Sequence, residues 1–350
     1  MSDFYKKRVD YINNWPDSKP FDAELKYKKI CDDFKEKNDR LPFTPMKMWE
    51  LCDVNPRDVD SSDVHPLDSN TINIVYNRVL SHIIECLDLI PYKPNLAFYS
   101  LFTGFDDFSE IVYQKMGKPN NSRGKNKAEQ ITCRLKFFYN DITSTSLTNN
   151  NIIEDILKEI FGCIPLDICK YLFINLKSEN GTAYKRVTQD TVPQTISMYE
   201  QLIKGIIAKY DYDNVISSTT EKDRNKTAGE LRTKAGKVYK KIFTQNSITL
   251  DDRRISIDNK FRLNLLISGI LYTLRNDSLH GSLMSSTKSS KTDIKRYETN
   301  YFCFLSMYTL LMLLLIEHSF DDGDKKISYY NELLNTTKAN VSDFKSLFKA

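Results

Sequence analysis

A chain of 350 residues, 41% hydrophobic and 27% charged, has the make-up of a folded globular protein and is long enough for one large or two moderate domains. Its 11 glycines and 11 prolines exclude collagen-like and low-complexity architectures. Fifty Lys and Arg against 46 Asp and Glu leave a net charge of +4, so a nucleic-acid surface cannot follow from net charge and has to come from local clustering.

Seven cysteines stand at 31, 52, 86, 133, 163, 169 and 303. They are odd in number and include no CxxC pair, the pattern of reduced, mostly buried thiols in an intracellular protein. No zinc site is expected from these spacings, and no cofactor. The opening MSDFYKKRVDYINNW lacks an apolar signal core.

Residues 1–60 are polar and rich in Tyr and Lys, with helical stretches such as FDAELKYKKICDDFKEKNDR, broken by LPFTP at 41–45. A loop is expected from Pro56 to Pro66. Asp68, Ser69 and Asn70 can then cap a helix whose stripe is Ile72, Val75, Tyr76, Val79, Leu80, Ile83 and Leu87. GKPNNSRGKNKAEQ at 117–130 and STSLTNNN at 144–151 are expected loops, and the second marks the domain boundary. IIEDILKEIFGCIPLDICKYLFINL predicts two short helices broken at Pro165, and 178–186 a turn or small hairpin.

Pro193 is placed to open a helix striped by Tyr199, Leu202, Ile203, Ile206, Ile207 and Tyr210. A long polar helix is predicted over 221–243. It carries Lys222, Arg224, Lys226, Arg232, Lys234, Lys237, Lys240 and Lys241. FRLNLLISGILYTLRNDSLH is apolar on most faces and reads as a buried helix. After a polar connection at 281–296 comes an oily helix over 297–317. Its core, YFCFLSMYTLLMLLLI, is short of the ~20 residues that a membrane span wants, so a core or interface helix is expected, with a membrane anchor as the alternative. No alternating strand run stands out in this last third, which reads as a four-helix bundle.

LYTLRNDSLHGS at 271–282 places Arg275 and His280 five residues apart. In mid-helix five steps leave two side chains about 140° apart. Gly281 favours a helix end at His280, where the imidazole can turn toward a cleft and the macrodipole favours its charged form. Arg275 leaves an oily helix, where a guanidinium needs a partner or a wet cleft. The two groups suit RNA cleavage without a metal. Histidine can move protons at the 2′-oxygen and the leaving 5′-oxygen near neutral pH. Arginine can grip the phosphate and offset the charge that develops there. One pair is thin for a monomer. Two copies across a symmetric helical interface would make a fuller site, with the helix at 301–316 as a candidate seam.

RNDSLH has the R-polar-x3-H form of the Rx4-6H signature. LRNDSLHGS, followed by KSSKTDIKRYETNYFCFLSMY, resembles HEPN domains (higher eukaryotes and prokaryotes nucleotide-binding) of bacterial abortive-infection and other defence proteins. The resemblance covers roughly 190–320 and not 1–150. It implies Arg275 and His280 as catalytic residues and Asn276 as the polar residue that orients them. Arg57–His65 and Arg78–His82 have the wrong spacing. A subgroup of these domains carries a tyrosine two residues after the histidine as a nucleotide-attachment target. Here that residue is Ser282, so a paired nucleotidyltransferase is not expected.

Lys288, Lys291, Lys295 and Arg296 follow the motif closely and are candidate RNA contacts, with a solvated loop as the alternative. The basic residues of 222–241 are expected to form a solvated helix face, with RNA phosphate contacts as the alternative. GELRTKAGKV fails as a phosphate-binding loop, because six residues separate its glycines and Val238 stands where Ser or Thr is needed. His82 reads as structural and His318 as a helix-end group. His65 sits in a loop. Asp58, Asp60, Asp63 and Asp68 match no calcium-loop spacing, and Glu154, Asp155 and Glu159 read as a solvated face.

The expected architecture is all-α: an N-terminal helical domain over 1–145, and a HEPN-like helical domain over 146–350 whose four-helix core spans about 190–320. The expected function is a cytoplasmic, metal-independent homodimeric endoribonuclease acting in defence, with RNA as partner and a trigger or inhibitor at the N-terminal domain. The rivals are a catalytically silent module that binds RNA or nucleotide, and a structural dimerisation protein.

Overall fold

The computed structural model describes residues 13–14, 20–47, 69–115, 147–188, 193–211, 220–279, 292–319 and 323–349. The sequence features at Cys52, Cys133, Arg57, His65, Asp58, Asp60, Asp63, Asp68 and 117–130 lie outside these residues. The described chain is predominantly helical. Before the boundary expected from the sequence come α1 (Asp22–Asn38), α2 (Ser69–Leu89) and α3 (Pro94–Lys115). After it come α4 (Leu147–Gly162), α5 (Leu166–Leu176), α6 (Thr182–Thr188), α7 (Pro193–Tyr210) and α8 (Glu221–Thr244). A hairpin of β1 (Ser247–Leu250) and β2 (Arg253–Ser256) leads into α9 (Asn259–Asn264), a π-helical segment (Leu265–Leu271) and α10 (Tyr272–Leu279). The long α11 (Ile294–Ser319) and α12 (Gly323–Phe348) finish the chain.

Local chemistry explains most of these limits. Asp39 adopts a left-handed conformation (φ 51°) after α1. Pro165, in extended backbone, is the N-cap of α5. Thr220 caps α8 by accepting from the Asp223 N–H. Arg262 is buried where α8 ends and donates to the Ile242 carbonyl at 2.9 Å and the Gln245 carbonyl at 2.6 Å. A buried guanidinium thus takes up carbonyls that a helix end leaves without partners.

Four elements differ from the sequence expectation. β1 and β2 pair antiparallel from Ser247–Ser256 to Leu250–Arg253, a strand pair where none was expected. The two turn residues, Asp251 and Asp252, both have positive φ (49° and 62°), as a tight two-residue hairpin demands. The alternating SITL was too short to stand out, and Asp-Asp is a weaker turn signal than Asn-Gly. α4 begins at Leu147, inside the expected 144–151 loop. Residues 178–186 form a turn that runs into α6 rather than a hairpin. The 259–279 helix is interrupted by the π segment.

α11 organises the core. Every residue from Thr299 to Ile316 is buried. α3, which precedes residue 146, lies against one side of α11, and α12 lies against another. α2 covers α3, α4 packs on α12, and α8 packs on α5. Ile294–His318 is long and apolar enough to cross a membrane, yet its most apolar stretch is wholly covered by the other helices. The faces expected to form a dimer seam at 301–316 are therefore occupied within the chain.

Aromatic side chains tie the segment after α1 to this core. Tyr301 donates to the Pro42 carbonyl at 2.7 Å, and the Tyr308 hydroxyl accepts from the Met46 N–H at 2.8 Å. Phe43 meets Phe304 and Tyr308 edge-on. Arg40 forks onto Asp343 of α12 at 2.6 and 2.8 Å. The Glu317 carboxylate at the end of α11 is held by Lys326 at 3.1 Å and by the Tyr330 hydroxyl. His82 joins α2 to α3 through Ser100, 3.2 Å from its Nδ1.

Cys31, Cys86, Cys163, Cys169 and Cys303 are free and buried. Burial pushes the thiols of Cys31, Cys86, Cys163 and Cys169 up to about 12, and that of Cys303 still higher. Since the thiolate is the reactive form, at most two of the seven cysteines should react with a thiol reagent at pH 8 in the folded protein. All seven should react in denaturant. Rapid reaction of three or more in the native state would show that this core is not closed.

Candidate functional site

The candidate motif sits on α10, whose setting depends on the π segment before it. There the Tyr272 N–H reaches back five residues to the Ile267 carbonyl. The Ser268 carbonyl accepts from Thr273 Oγ1 at 3.3 Å and from Arg186 Nε at 3.3 Å. Arg186 Nη2 also donates to Thr273 Oγ1 at 2.6 Å, and its guanidinium lies 4.7 Å from the centre of the Tyr272 ring. Gly269 allows the close approach: a Cβ there would meet Leu172 Cδ1 at 2.7 Å. One extra residue in the turn rotates everything after it by about 100° relative to a continuous α-helix. The faces shown by 273–279 are thus set by α5 and α6 as much as by the local sequence.

Four consecutive residues of α10 are then held from outside or by one another. Arg275 donates to Asn276 Oδ1 at 3.1 Å and lies 5.8 Å from the centre of the Phe102 ring. Asp277 accepts from the Tyr171 hydroxyl at 2.6 Å, and Ser278 is bonded to the Tyr99 hydroxyl at 2.5 Å. Arg275 and Ser278 are three apart on α10, as Tyr99 and Phe102 are on α3, so matching helix faces meet. Among the described residues no carboxylate pairs with Arg275, because the neighbouring Asp277 is engaged by Tyr171 on the other side of the helix. Burial, then the bond to Asp277, raises the Tyr171 phenol far above its ordinary value, so the tyrosine stays a proton donor.

Of the expected site residues, Arg275 is hydrogen-bonded to its chain neighbour Asn276. His280, Ser282, Lys288 and Lys291 lie outside the described residues. Lys295 and Arg296 are exposed on the first turn of α11, which starts where Asp293 accepts from the Arg296 N–H at 3.2 Å. Both line a cleft of about 270 Å³ between α5, the π segment, α10 and α11, together with Tyr171, Ile174, Leu274 and Asp293. Arg296 is also close enough to Tyr99 to oppose the rise that burial imposes on that phenol. The cleft and the motif thus share α10 as a wall.

The basic helix face of 222–241 lies on α8, and GELRTKAGKV lies within that helix rather than in a loop. Among the described residues no group of three or more His, Cys, Asp or Glu could hold a metal ion. Sequence reasoning missed Tyr99, Phe102, Tyr171 and Arg186, the groups that orient α10. Asp277 and Ser278 stand inside RNDSLH and were available to it. Comparison with protein-family models, curated proteins and solved structures returned no match.

Arg186→Met should cost about 1.5–3 kcal/mol in urea unfolding, because it leaves a carbonyl and a hydroxyl of the π segment short of a charged donor. Arg186→Lys should recover less than half of that, since an ammonium cannot fork. Full recovery by Lys would refute the bidentate role.

Glu298, half-buried on α11, supplies a pH test. Burial and then the negative charge of Asp167 raise its carboxyl above the ordinary value, against the pull of Lys240 and Lys295. In the window between its unfolded and folded pKa the folded state holds more proton, so stability falls as pH rises through it. Glu298→Gln carries no charge to bury. It should unfold at a higher temperature than the wild type at pH 8, and the difference should vanish near about pH 3, where the carboxyl is neutral in both states. An equal gain at both pH values would rule out ionisation as the cause.

Proposed function

We propose that this chain is a metal-independent endoribonuclease of the HEPN type. The observation that carries the proposal is Arg275: a half-buried guanidinium at the end of a buried helix, oriented by Asn276 and balanced by no carboxylate among the described residues. Such a cation is poised to fork onto a phosphate. Asn276 has the neighbouring oxygen that the resemblance assigns to it. His280 comes directly after α10 in the chain and would carry the protons, first from the 2′-OH and then to the leaving 5′-oxygen. The 5′ fragment would end in a 2′,3′-cyclic phosphate.

In this proposal the helices of about 190–320 form the HEPN-like bundle, and two copies complete one site across a two-fold axis. The seam cannot use 301–316, which is buried in the chain, and the half-buried turn of α10 at 275–278 is the natural place for it. Residues 1–145 would sense a trigger or restrain the nuclease, and the setting would be the cytoplasm of a cell under attack. A second reading, a silent module that holds RNA or nucleotide, is favoured by the cleft beside α10, where exposed cations stand next to apolar side chains.

Wild type, Arg275→Lys and His280→Ala, incubated with mixed RNA and excess EDTA, separate these readings. The nuclease requires cleavage by the wild type with cyclic-phosphate ends, a loss of about 10²–10⁴-fold in His280→Ala, and a rate that titrates with a histidine. Arg275→Lys should also be slow, because a lysine keeps the charge and loses the fork. Wild-type rates in His280→Ala would end the nuclease proposal. RNA binding without turnover, weakened by both substitutions, would establish the silent module.

A further inference from the structure

The cleft beside α10 joins two kinds of surface. On one side Tyr171, Ile174 and Leu274 present aromatic and aliphatic groups, and Ile174 is left 43% exposed at the edge. On the other side Lys295 and Arg296 stand exposed on the first turn of α11; neither makes a close salt bridge among the described residues, and Lys295 acts on the Glu298 carboxyl only through its charge. The remaining cation, Lys170, is taken by Asp167 at 2.8 Å. Asp293 is engaged as the cap of α11. It places a negative charge at the cleft that disfavours a run of phosphates and leaves room for one.

We propose that this cleft is a subsite for one nucleotide of a single-stranded RNA. The base would lie against Tyr171, Ile174 and Leu274, and its phosphate on Lys295 and Arg296. The choice of RNA rests on the ribonuclease proposal; the nucleotide chemistry rests on the cleft. A volume of about 270 Å³ falls at the small end of ligand sites, which run to ~1,000 Å³, so it suits one nucleotide rather than two. A base has to leave its helix to enter a cleft lined by side chains, which selects a single strand over a duplex. Apolar and aromatic groups take bases with little regard to sequence, while cations hold the backbone. The cleft is also tied to the motif. Its Tyr171 bonds Asp277, two residues after Arg275, and its Arg296 stands near Tyr99, which bonds Ser278. A strand seated here lies along the Asp277 side of α10 and would turn round the end of that helix to meet Arg275, which faces Phe102 on the opposite side.

A labelled RNA hexamer methylated at every 2′-oxygen cannot be cut and reports binding alone. Its fluorescence anisotropy should be followed with the full chain as wild type, as the Lys295→Ala/Arg296→Ala double variant, as Ile174→Asp, and as Lys222→Ala/Lys226→Ala on the distant face of α8. All four substituted α11 and α8 positions are exposed and Ile174 is partly so, and thermal unfolding checks that each variant is folded. The cleft variants should bind at least tenfold more weakly than the wild type, while the α8 variant stays within twofold. Equal binding by wild type and both cleft variants overturns the subsite, as does no binding by the wild type. If 5′-AMP binds as tightly as the hexamer, the occupant is a free nucleotide and the strand is excluded. Cleavage by the cleft variants at the wild-type KM removes the subsite and leaves the nuclease. Hexamer binding that depends on the cleft, in a chain that cuts no RNA, removes the nuclease and leaves the subsite.

Discussion

Most of this structure follows from one constraint, the burial of α11 over Thr299–Ile316. From Thr299 to Ile316 no residue of that helix reaches solvent, so protein has to cover it on all sides. A helix with a single apolar stripe would need one partner layer. This one recruits α3 and α12 as direct neighbours, and through them α2 and α4. It also draws the segment after α1 across its surface through Tyr301 and Tyr308. Burial of apolar area is the main favourable term in folding. The cost is that polar groups carried inside need partners; Tyr301 and Tyr308 find theirs in backbone groups, while Ser306 Oγ on the same helix has none among the described residues. The two tyrosines extend from an aromatic body in the core to backbone groups at its edge.

The candidate site is built on the border of this core, where an otherwise regular helix is made irregular. A π segment sits between α9 and α10 because donors from elsewhere, Arg186 above all, replace the bonds that the helix does not make for itself. Such insertions recur at functional positions in helices. Here the insertion has a definite effect: it turns Arg275 toward Phe102 and Asp277 toward Tyr171. Two residues further along α10, the acidic neighbour lies on the opposite side of the helix from the arginine, which pairs with no carboxylate among the described residues. Rigid support of this kind is what a residue that grips a phosphate requires.

Much of the architecture was legible in the sequence. The 3.6-residue stripes placed α2 and α7, a continuous apolar run placed α11, Pro165 marked a break between helices and Pro193 a helix start, and a long polar stretch marked α8. The hairpin was not legible, because four alternating residues and an Asp-Asp turn make a weak signal beside the long helices around them. At the candidate site, Arg275 was singled out by its spacing to His280 and by the charge that follows an oily run, and Asn276 by the resemblance. Arg186, Tyr99, Phe102 and Tyr171 were not. Each lies at least 89 residues from Arg275 in the chain, and no local pattern links residues that only folding makes neighbours.

Composition and periodicity therefore determined, from the sequence alone, that the chain is helical and that 301–316 is a deeply apolar element. These are properties of short stretches of chain, and short stretches encode them. Only the tertiary structure decided that the apolar element is consumed inside the chain, that a π turn re-aims the motif, and that Lys295 and Arg296 share a cleft with Tyr171 and Leu274. Those facts depend on which surfaces meet when the helices pack. That is settled by the summed burial and hydrogen bonding of many distant residues, and no window along the sequence contains them.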